Sequence, residues 1–219
     1  MKVSEKLRKD TGHIWEKIFE HPFVIELYNG SLPIEKFKFY ILQDYNYLVD
    51  AIKNFAVIAS RVDSVDVMKE VVQVVHLEAV SEFNEYEKLL NKLGYTIEDA
   101  MNIEPLPVNV SYSSFLIATS SLKSYQEAIT SVLPCFWSYA EIAKYHEKKL
   151  NENSNSIYVD WASVYLSDDY LNLVNRIKNI VDIGGKSFPY EKLKYIFMTA
   201  SRYEYMYWNS VYNMDKWPV

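Results

Sequence analysis

The stretch Ile34-Glu35-Lys36-Phe37-Lys38-Phe39-Tyr40-Ile41-Leu42-Gln43-Asp44-Tyr45-Asn46-Tyr47-Leu48-Val49-Asp50-Ala51 decides the fold. Phe37, Ile41, Asp44, Leu48 and Ala51 follow one another in steps of four, three, four and three. That is the period of one helix face, and a strand would alternate instead. Pro33 fits the first turn, where its missing N–H costs nothing. The pattern predicts a helix over about 34–61.

Working outward, the same period recurs almost everywhere. Helices are predicted over 4–19, a short segment through residue 28, then 65–93, 110–121, 124–150, 161–165, 168–182 and 190–214. Gly94 is the expected C-terminal cap of the 65–93 helix. Residues 104–107, with two prolines, read as a linker that parts the chain into two helical halves. Asn151 to Ser156 reads as a polar loop. Gly184 and Gly185 are expected to break the chain. No strand pattern and no fixed short repeat stands out. The expected fold is one all-α domain over residues 1–219, a multi-helix bundle.

Composition agrees. The chain has 219 residues, 49% hydrophobic and 24% charged, which suits one globular domain. Five glycines and seven prolines are too few for the turns of an all-β protein. The net charge of −6 disfavours binding nucleic acid through its phosphates. The first ten residues lack the apolar centre of a signal peptide, and no apolar run of about 18 residues suggests a membrane span. The single cysteine, Cys135, excludes an internal disulfide. A cytoplasmic protein without membrane or nucleic-acid partners is expected. The 19 tyrosines point to pockets or interfaces with polar detail, alongside ordinary core packing.

Three long helices carry an ionisable or reactive residue within an apolar stripe. Asp44 lies in the stripe already described. Cys135 lies among Ala128, Val132, Tyr139 and Ile142, directly after Pro134, which is expected to kink its helix. Glu204 lies among Leu193, Phe197, Ala200, Tyr207 and Val211. An inward carboxylate is costly unless partnered or used. One of them is as readily a structural residue. Two on different helices favour a polar pocket. A buried cysteine is commonly a small apolar filler, so Cys135 alone says little. The Glu-x-x-His pairs of di-iron bundles are absent, and His13-x-x-Glu16 is the reverse order. No phosphate-binding glycine motif appears. The four histidines read as surface or structural residues, and no metal or cofactor is expected.

Several segments together resemble the TenA family, also called thiaminase II or aminopyrimidine aminohydrolase. They are His21-Pro22-Phe23-Val24, Gly30-Ser31-Leu32-Pro33, residues 39–48, Leu133-Pro134-Cys135-Phe136-Trp137-Ser138-Tyr139, Trp161-Ala162-Ser163-Val164-Tyr165 and Tyr203-Glu204-Tyr205-Met206-Tyr207-Trp208. The resemblance implies a haem-oxygenase-like helical fold without haem, and a homotetramer. It implies hydrolysis at the methylene carbon of a 4-amino-2-methylpyrimidine for thiamin salvage, with 4-amino-5-aminomethyl-2-methylpyrimidine the typical substrate and thiamin a further one. It makes Cys135 the nucleophile and Glu204 the general acid/base. Asp44 would be the anchor of the ring's amino group and nitrogen, and Tyr47, Tyr112, Tyr139, Tyr165 and Tyr207 would stack on the ring or hydrogen-bond it. One departure stands out. Many relatives carry Glu-x-x-x-His before the linker, where this chain reads Glu78-Ala79-Val80-Ser81-Glu82. Two other readings remain at this point: a non-catalytic ligand-binding or regulatory protein, and a metal-dependent oxygenase of the same fold.

Overall fold

The computed structural model describes residues 1–219, and all of its regular structure is helical. In chain order the helices are α1 (Val3–Asp10), α2 (Gly12–Phe19), α3 (Pro22–Tyr28), α4 (Ile34–Ser60), α5 (Val65–His76), α6 (Phe83–Lys92) and α7 (Ile97–Met101). There follow α8 (Pro107–Leu122), α9 (Tyr125–Tyr145), α10 (Glu147–Asn151), α11 (Ser156–Ser163), α12 (Asp168–Gly185) and α13 (Tyr190–Asn213). A π-helical segment (Leu77–Glu82) joins α5 to α6, and a 3-10 turn (Val164–Leu166) follows α11. No helix is long and apolar enough to cross a membrane.

The chain forms two compact units, residues 1–33 with 129–209, and residues 34–128 with 210–219. The 104–107 linker is therefore not the division that its prolines suggest. Gln43 explains why. Its side-chain amide donates to Glu104 O at 2.9 Å, and its carbonyl accepts from Leu106 N at 2.9 Å. The segment is thereby pinned to α4 inside the second unit.

In the first unit, Trp15 is fully buried and stacks on Phe197, with centroids 5.9 Å apart. Its indole N–H donates to Ser201 Oγ at 3.0 Å. Helix α12 takes in both glycines and the chain breaks directly after them, over residues 186–189, before α13. At Gly185 α1 comes close: a Cβ there would lie 3.0 Å from Val3 Cγ1. Gly30 is needed twice over. Its φ is +83°, and an added Cβ would sit 2.5 Å from Asn153 Oδ1. Asn153 holds that turn through bonds to Leu27 O and Tyr28 O, while Tyr158 OH donates to Leu32 O.

In the second unit α4 is central, with α5, α6, α7, α8 and the π-helical segment packed on it. Pro107 belongs to the first turn of α8, not to the linker. Helix α7 was not expected. It starts at a capping box in which Thr96 and Asp99 bond each other's backbone N–H. Gly94 has φ +84°, as a C-terminal cap requires.

Two expected helices are interrupted. The one over 4–19 breaks at Thr11, whose hydroxyl bonds Leu7 O at 2.9 Å. The one over 124–150 breaks at His146, whose Nε2 lies 2.8 Å from Phe19 O. The 65–93 helix contains the π-helical segment.

Candidate functional site

In the first unit the stripe of α13 is as predicted: Leu193, Phe197, Ala200, Glu204 and Tyr207 are all buried, and Glu204 is only 2% exposed. On α9, Val132, Tyr139 and Ile142 are buried, while Cys135 is half-buried rather than fully enclosed. Helix α9 runs through Pro134 without a break. Proline has no N–H to give Thr130 O, so the turn before Cys135 lacks one backbone bond. Just beyond, the buried Ser138 hydroxyl donates to Cys135 O at 3.4 Å.

Around Tyr139 the rings form a cluster. Tyr165 lies 4.9 Å from Tyr139, Trp208 5.3 Å and Trp161 6.1 Å, centroid to centroid. Tyr207 adjoins Trp208 at 6.3 Å, and Phe23 meets Trp208 at 5.1 Å. Tyr170 stands edge-on to Tyr165 and donates its hydroxyl to Phe136 O at 2.9 Å, tying α12 to the turn that carries Cys135. These rings pack tilted or edge-on against one another. The structure thus brings Tyr139, Tyr165 and Tyr207 into one aromatic wall in the same unit as Cys135 and Glu204.

His21 stands at the N-terminus of α3, its ring edge-on to Tyr205 with centroids 5.5 Å apart. Its Nδ1 accepts from Phe23 N at 3.2 Å and caps that helix. Burial lowers its pKa to about 4 despite a bond to Asn209 and the charge of Glu26. Burial likewise lowers that of His146. His21 and His146 are buried, while His13 and His76 are exposed.

In the second unit, Asp44 is half-buried on α4, less enclosed than its stripe suggests. Phe37, Ile41, Leu48 and Ala51 are buried. Tyr47 and Tyr112 face each other with centroids 5.5 Å apart. Asn109 secures the same helix pair by donating to Gln43 O at 2.9 Å. A cleft of about 250 Å³ opens beside them, lined by Asn46, Asp50, Asn109, Ser113 and Ser114 among others.

The pattern of stripes overlooks the π-helical segment and Glu78, which lies inside it and is 6% exposed. A signal existed. Val74, Glu78, Glu82, Tyr86 and Leu90 are spaced by fours. Steps of four advance a straight α-helix by about 40° beyond a full turn each time. One wider turn removes that drift. No group of three or more His, Cys, Asp or Glu side chains is placed to hold a metal ion.

Comparison with known proteins supplies the rest. The TENA/THI-4/PQQC family matches residues 8–214. The Aminopyrimidine aminohydrolase of Helicobacter pylori is 32% identical over 215 residues, covering 97% of this chain and 99% of that protein. The solved TenA homologue protein from P. horikoshii OT3 is 46% identical with a TM-score of 0.95, over 98% of this chain and all of the other. A Shewanella denitrificans domain described as having a heme oxygenase-like fold superposes with a TM-score of 0.78 at 15% identity, over 96% of this chain and 92% of that one. The fold is therefore all-α and haem-oxygenase-like, as the resemblance implies.

Proposed function

The chain belongs to the TENA/THI-4/PQQC family, and from that membership we propose that it is a thiamin-salvage hydrolase. It acts on 4-amino-5-aminomethyl-2-methylpyrimidine, with thiamin as a further substrate, and releases the 5-hydroxymethyl compound. The full-length similarity to an enzyme named aminopyrimidine aminohydrolase carries this reading. The family match spans both compact units, which supports treating residues 1–219 as one catalytic domain. The proposal includes a cytoplasmic setting and a homotetramer, whose mass in solution would be about four times 25.7 kDa.

The chemistry asks for an electrophilic ring, a nucleophile and a proton shuttle. Asp44 accepts from the ring's amino group and from its protonated neighbouring nitrogen. That charge makes the ring carbons open to attack. The Cys135 thiolate adds to a ring carbon, and the displaced electron pair moves toward the methylene carbon. The amine leaves with a proton from Glu204. Water then adds to the exocyclic methylene while Glu204 takes its proton back. The ring electrons return and expel the thiolate. One C–N bond is exchanged for one C–O bond, with no change of oxidation state. Tyr139, Tyr165 and Tyr207 supply the flat wall and hydroxyls for the pyrimidine. Tyr47 and Tyr112, as a facing pair, serve the same ring. The half-buried state of Cys135 and the deep burial of Glu204 support these roles, since a nucleophile needs access and a proton shuttle needs shelter from water.

Replacing Cys135 by Ser tests the chemistry. The shape barely changes, but almost no alkoxide forms near neutral pH. Turnover should fall by about a thousandfold, roughly 4 kcal/mol of barrier, with pyrimidine binding retained. Iodoacetamide should inactivate the enzyme at one site, and bound hydroxymethyl product should slow it. Near-normal kcat in the Ser variant, or full activity after complete alkylation, would defeat the nucleophile assignment.

A further inference from the structure

The cleft of about 250 Å³ between α4 and α8 has a lining that packing alone does not ask for. Two helices that meet along their length join most favourably through apolar side chains. Here the cleft is bordered instead by Asn46 and Asp50 of α4 and by Asn109 and Ser113 of α8. Asn109 is buried and its amide is employed, donating to Gln43 O at 2.9 Å and to Gln43 Oε1 at 3.2 Å. Asn46 differs. Its Nδ2 is shielded from solvent and has no hydrogen-bond partner. A shielded donor left unmade is a standing cost to the fold, and each such group in a native structure calls for an explanation.

The neighbours of that amide describe what would satisfy it. Asp50 stands one helical turn along from Asn46, so the two side chains are adjacent on the surface of α4. Lys53 reaches Asp50 Oδ1 at 3.1 Å, but its side chain is 64% exposed and is not part of the lining. No Lys, Arg or His lines the cleft, so the Asp50 carboxylate sets its charge. Pro105, Val110 and Ile117 add apolar wall. The backbone at this border is tied at three successive residues. Glu104 O accepts from Gln43 Nε2, Pro105 O accepts from the Trp217 indole N–H, and Leu106 N donates to Gln43 Oε1, each at 2.9 Å. The cleft is also distinct from the ring anchor. Residues advance by about 100° around a helix, which puts Asn46 and Asp50 about 200° and 240° from Asp44, on the other side of α4.

A cavity of about 150 Å³ holds benzene, so by proportion this cleft suits a molecule of about ten non-hydrogen atoms. Such a molecule needs a cationic nitrogen for Asp50, an oxygen acceptor a few bonds away for the Asn46 amide, and a carbon body to cover Pro105, Val110 and Ile117. We propose that the α4–α8 cleft is a second binding site, one that takes a small amino alcohol in its ammonium form. The ammonium donates to Asp50, the hydroxyl oxygen accepts from Asn46 Nδ2, and no covalent step is involved.

2-Amino-1-phenylethanol has the size, the ammonium and the neighbouring hydroxyl, and serves as the probe. A ligand-observed NMR titration of the full-length protein should show one saturable site per chain with a Kd of about 1 mM or below. Asp50→Asn should weaken binding by about tenfold or more, and Asn46→Leu by about threefold or more, as expected for a charged and a neutral hydrogen bond. 1-Phenylethanol, which lacks the ammonium, should bind wild type about tenfold more weakly than the probe. Mandelate, an anion of similar size, should not bind. Asp44→Asn should retain the probe, and saturating 4-amino-5-hydroxymethyl-2-methylpyrimidine should not displace it. If one cleft variant does not fold, the other variant and the three-compound comparison on wild type still decide. No saturable binding to wild type, equal affinity in Asp50→Asn, or mandelate binding as well as the probe would overturn the proposal. Loss of the probe in Asp44→Asn, or its displacement by the pyrimidine, would overturn it too, by placing the probe in the pyrimidine site.

Discussion

Tyr139 separates packing from chemistry, because its ring and its hydroxyl do different things. The ring contacts Trp161, Tyr165 and Trp208, with centroids between 4.9 and 6.1 Å, and is 8% exposed. Aromatic pairs of this kind contribute about 0.5–1.5 kcal/mol each beyond area burial. Tyr139→Leu forfeits three pairs, so a loss of about 2–4 kcal/mol is expected. For a chain of this length that is a fall in Tm on the order of 10 °C. Tyr139→Phe keeps every ring contact, so its Tm should stay within about 2 °C of wild type. The proposed function gives the hydroxyl to the substrate. Its loss should lower kcat/KM for the aminopyrimidine about tenfold, the equivalent of ~1.4 kcal/mol. Calorimetry and steady-state assays on the two variants give four numbers. A wild-type rate in the Phe variant would remove the hydroxyl from the site. An unchanged Tm in the Leu variant would mean the aromatic wall is not what fixes this part of α9.

Three other expectations follow from named contacts. Asp44→Asn should leave the circular dichroism spectrum and Tm nearly intact while kcat/KM falls ten- to a hundredfold, as expected for a charged hydrogen bond of about 1.5–3 kcal/mol; equal kcat/KM would defeat the anchor role. Gly30→Ala combines a left-handed φ with a contact 2.5 Å from Asn153 Oδ1, so chemical denaturation should show a loss of about 2–3 kcal/mol, and an unchanged midpoint would contradict the geometry. His21 is buried neutral with its pKa lowered to about 4, so its contribution to stability is complete above about pH 6.5 and lost as the pH falls toward 4. His21→Asn keeps a capping side chain without the titration. The Tm of wild type relative to that variant should therefore drop steadily between pH 7 and pH 4.5, and a constant difference would refute the assignment.

What the sequence reveals here depends on phase. The stripe of α13 is regular from Leu193 to Val211, and it placed Glu204 inside correctly. The breaks at Thr11 and His146 escape the same reading because they preserve the phase. Leu7, Thr11, Ile14 and Ile18 are all buried at helical spacing, as are Tyr139, Ile142, His146 and Leu150. A chain that turns without changing which residues face inward shows no change of pattern. Gly184 and Gly185 mark the break before α13, but α12 takes them in before it stops, and the small size of Gly185 lets Val3 of α1 come close. Asp44 and Cys135 were legible as residues out of place, but only half-buried in fact. Glu78 was hidden because one glutamate among many charges on α5 and α6 looks like surface. Only the run of fours, which an α-helix cannot hold on one face, marks it.

The central claim is hydrolysis of an aminopyrimidine by this chain. The most direct measurement offers 4-amino-5-aminomethyl-2-methylpyrimidine and thiamin side by side to the purified protein, with Cys135→Ser as control. Product is followed as 4-amino-5-hydroxymethyl-2-methylpyrimidine, and ammonia is quantified in parallel. The account predicts equimolar ammonia and hydroxymethyl product from the aminomethyl compound, and turnover lost in the Ser variant. Tight binding of the pyrimidine with no hydroxymethyl product from either compound would contradict it and leave a binding protein in place of an enzyme.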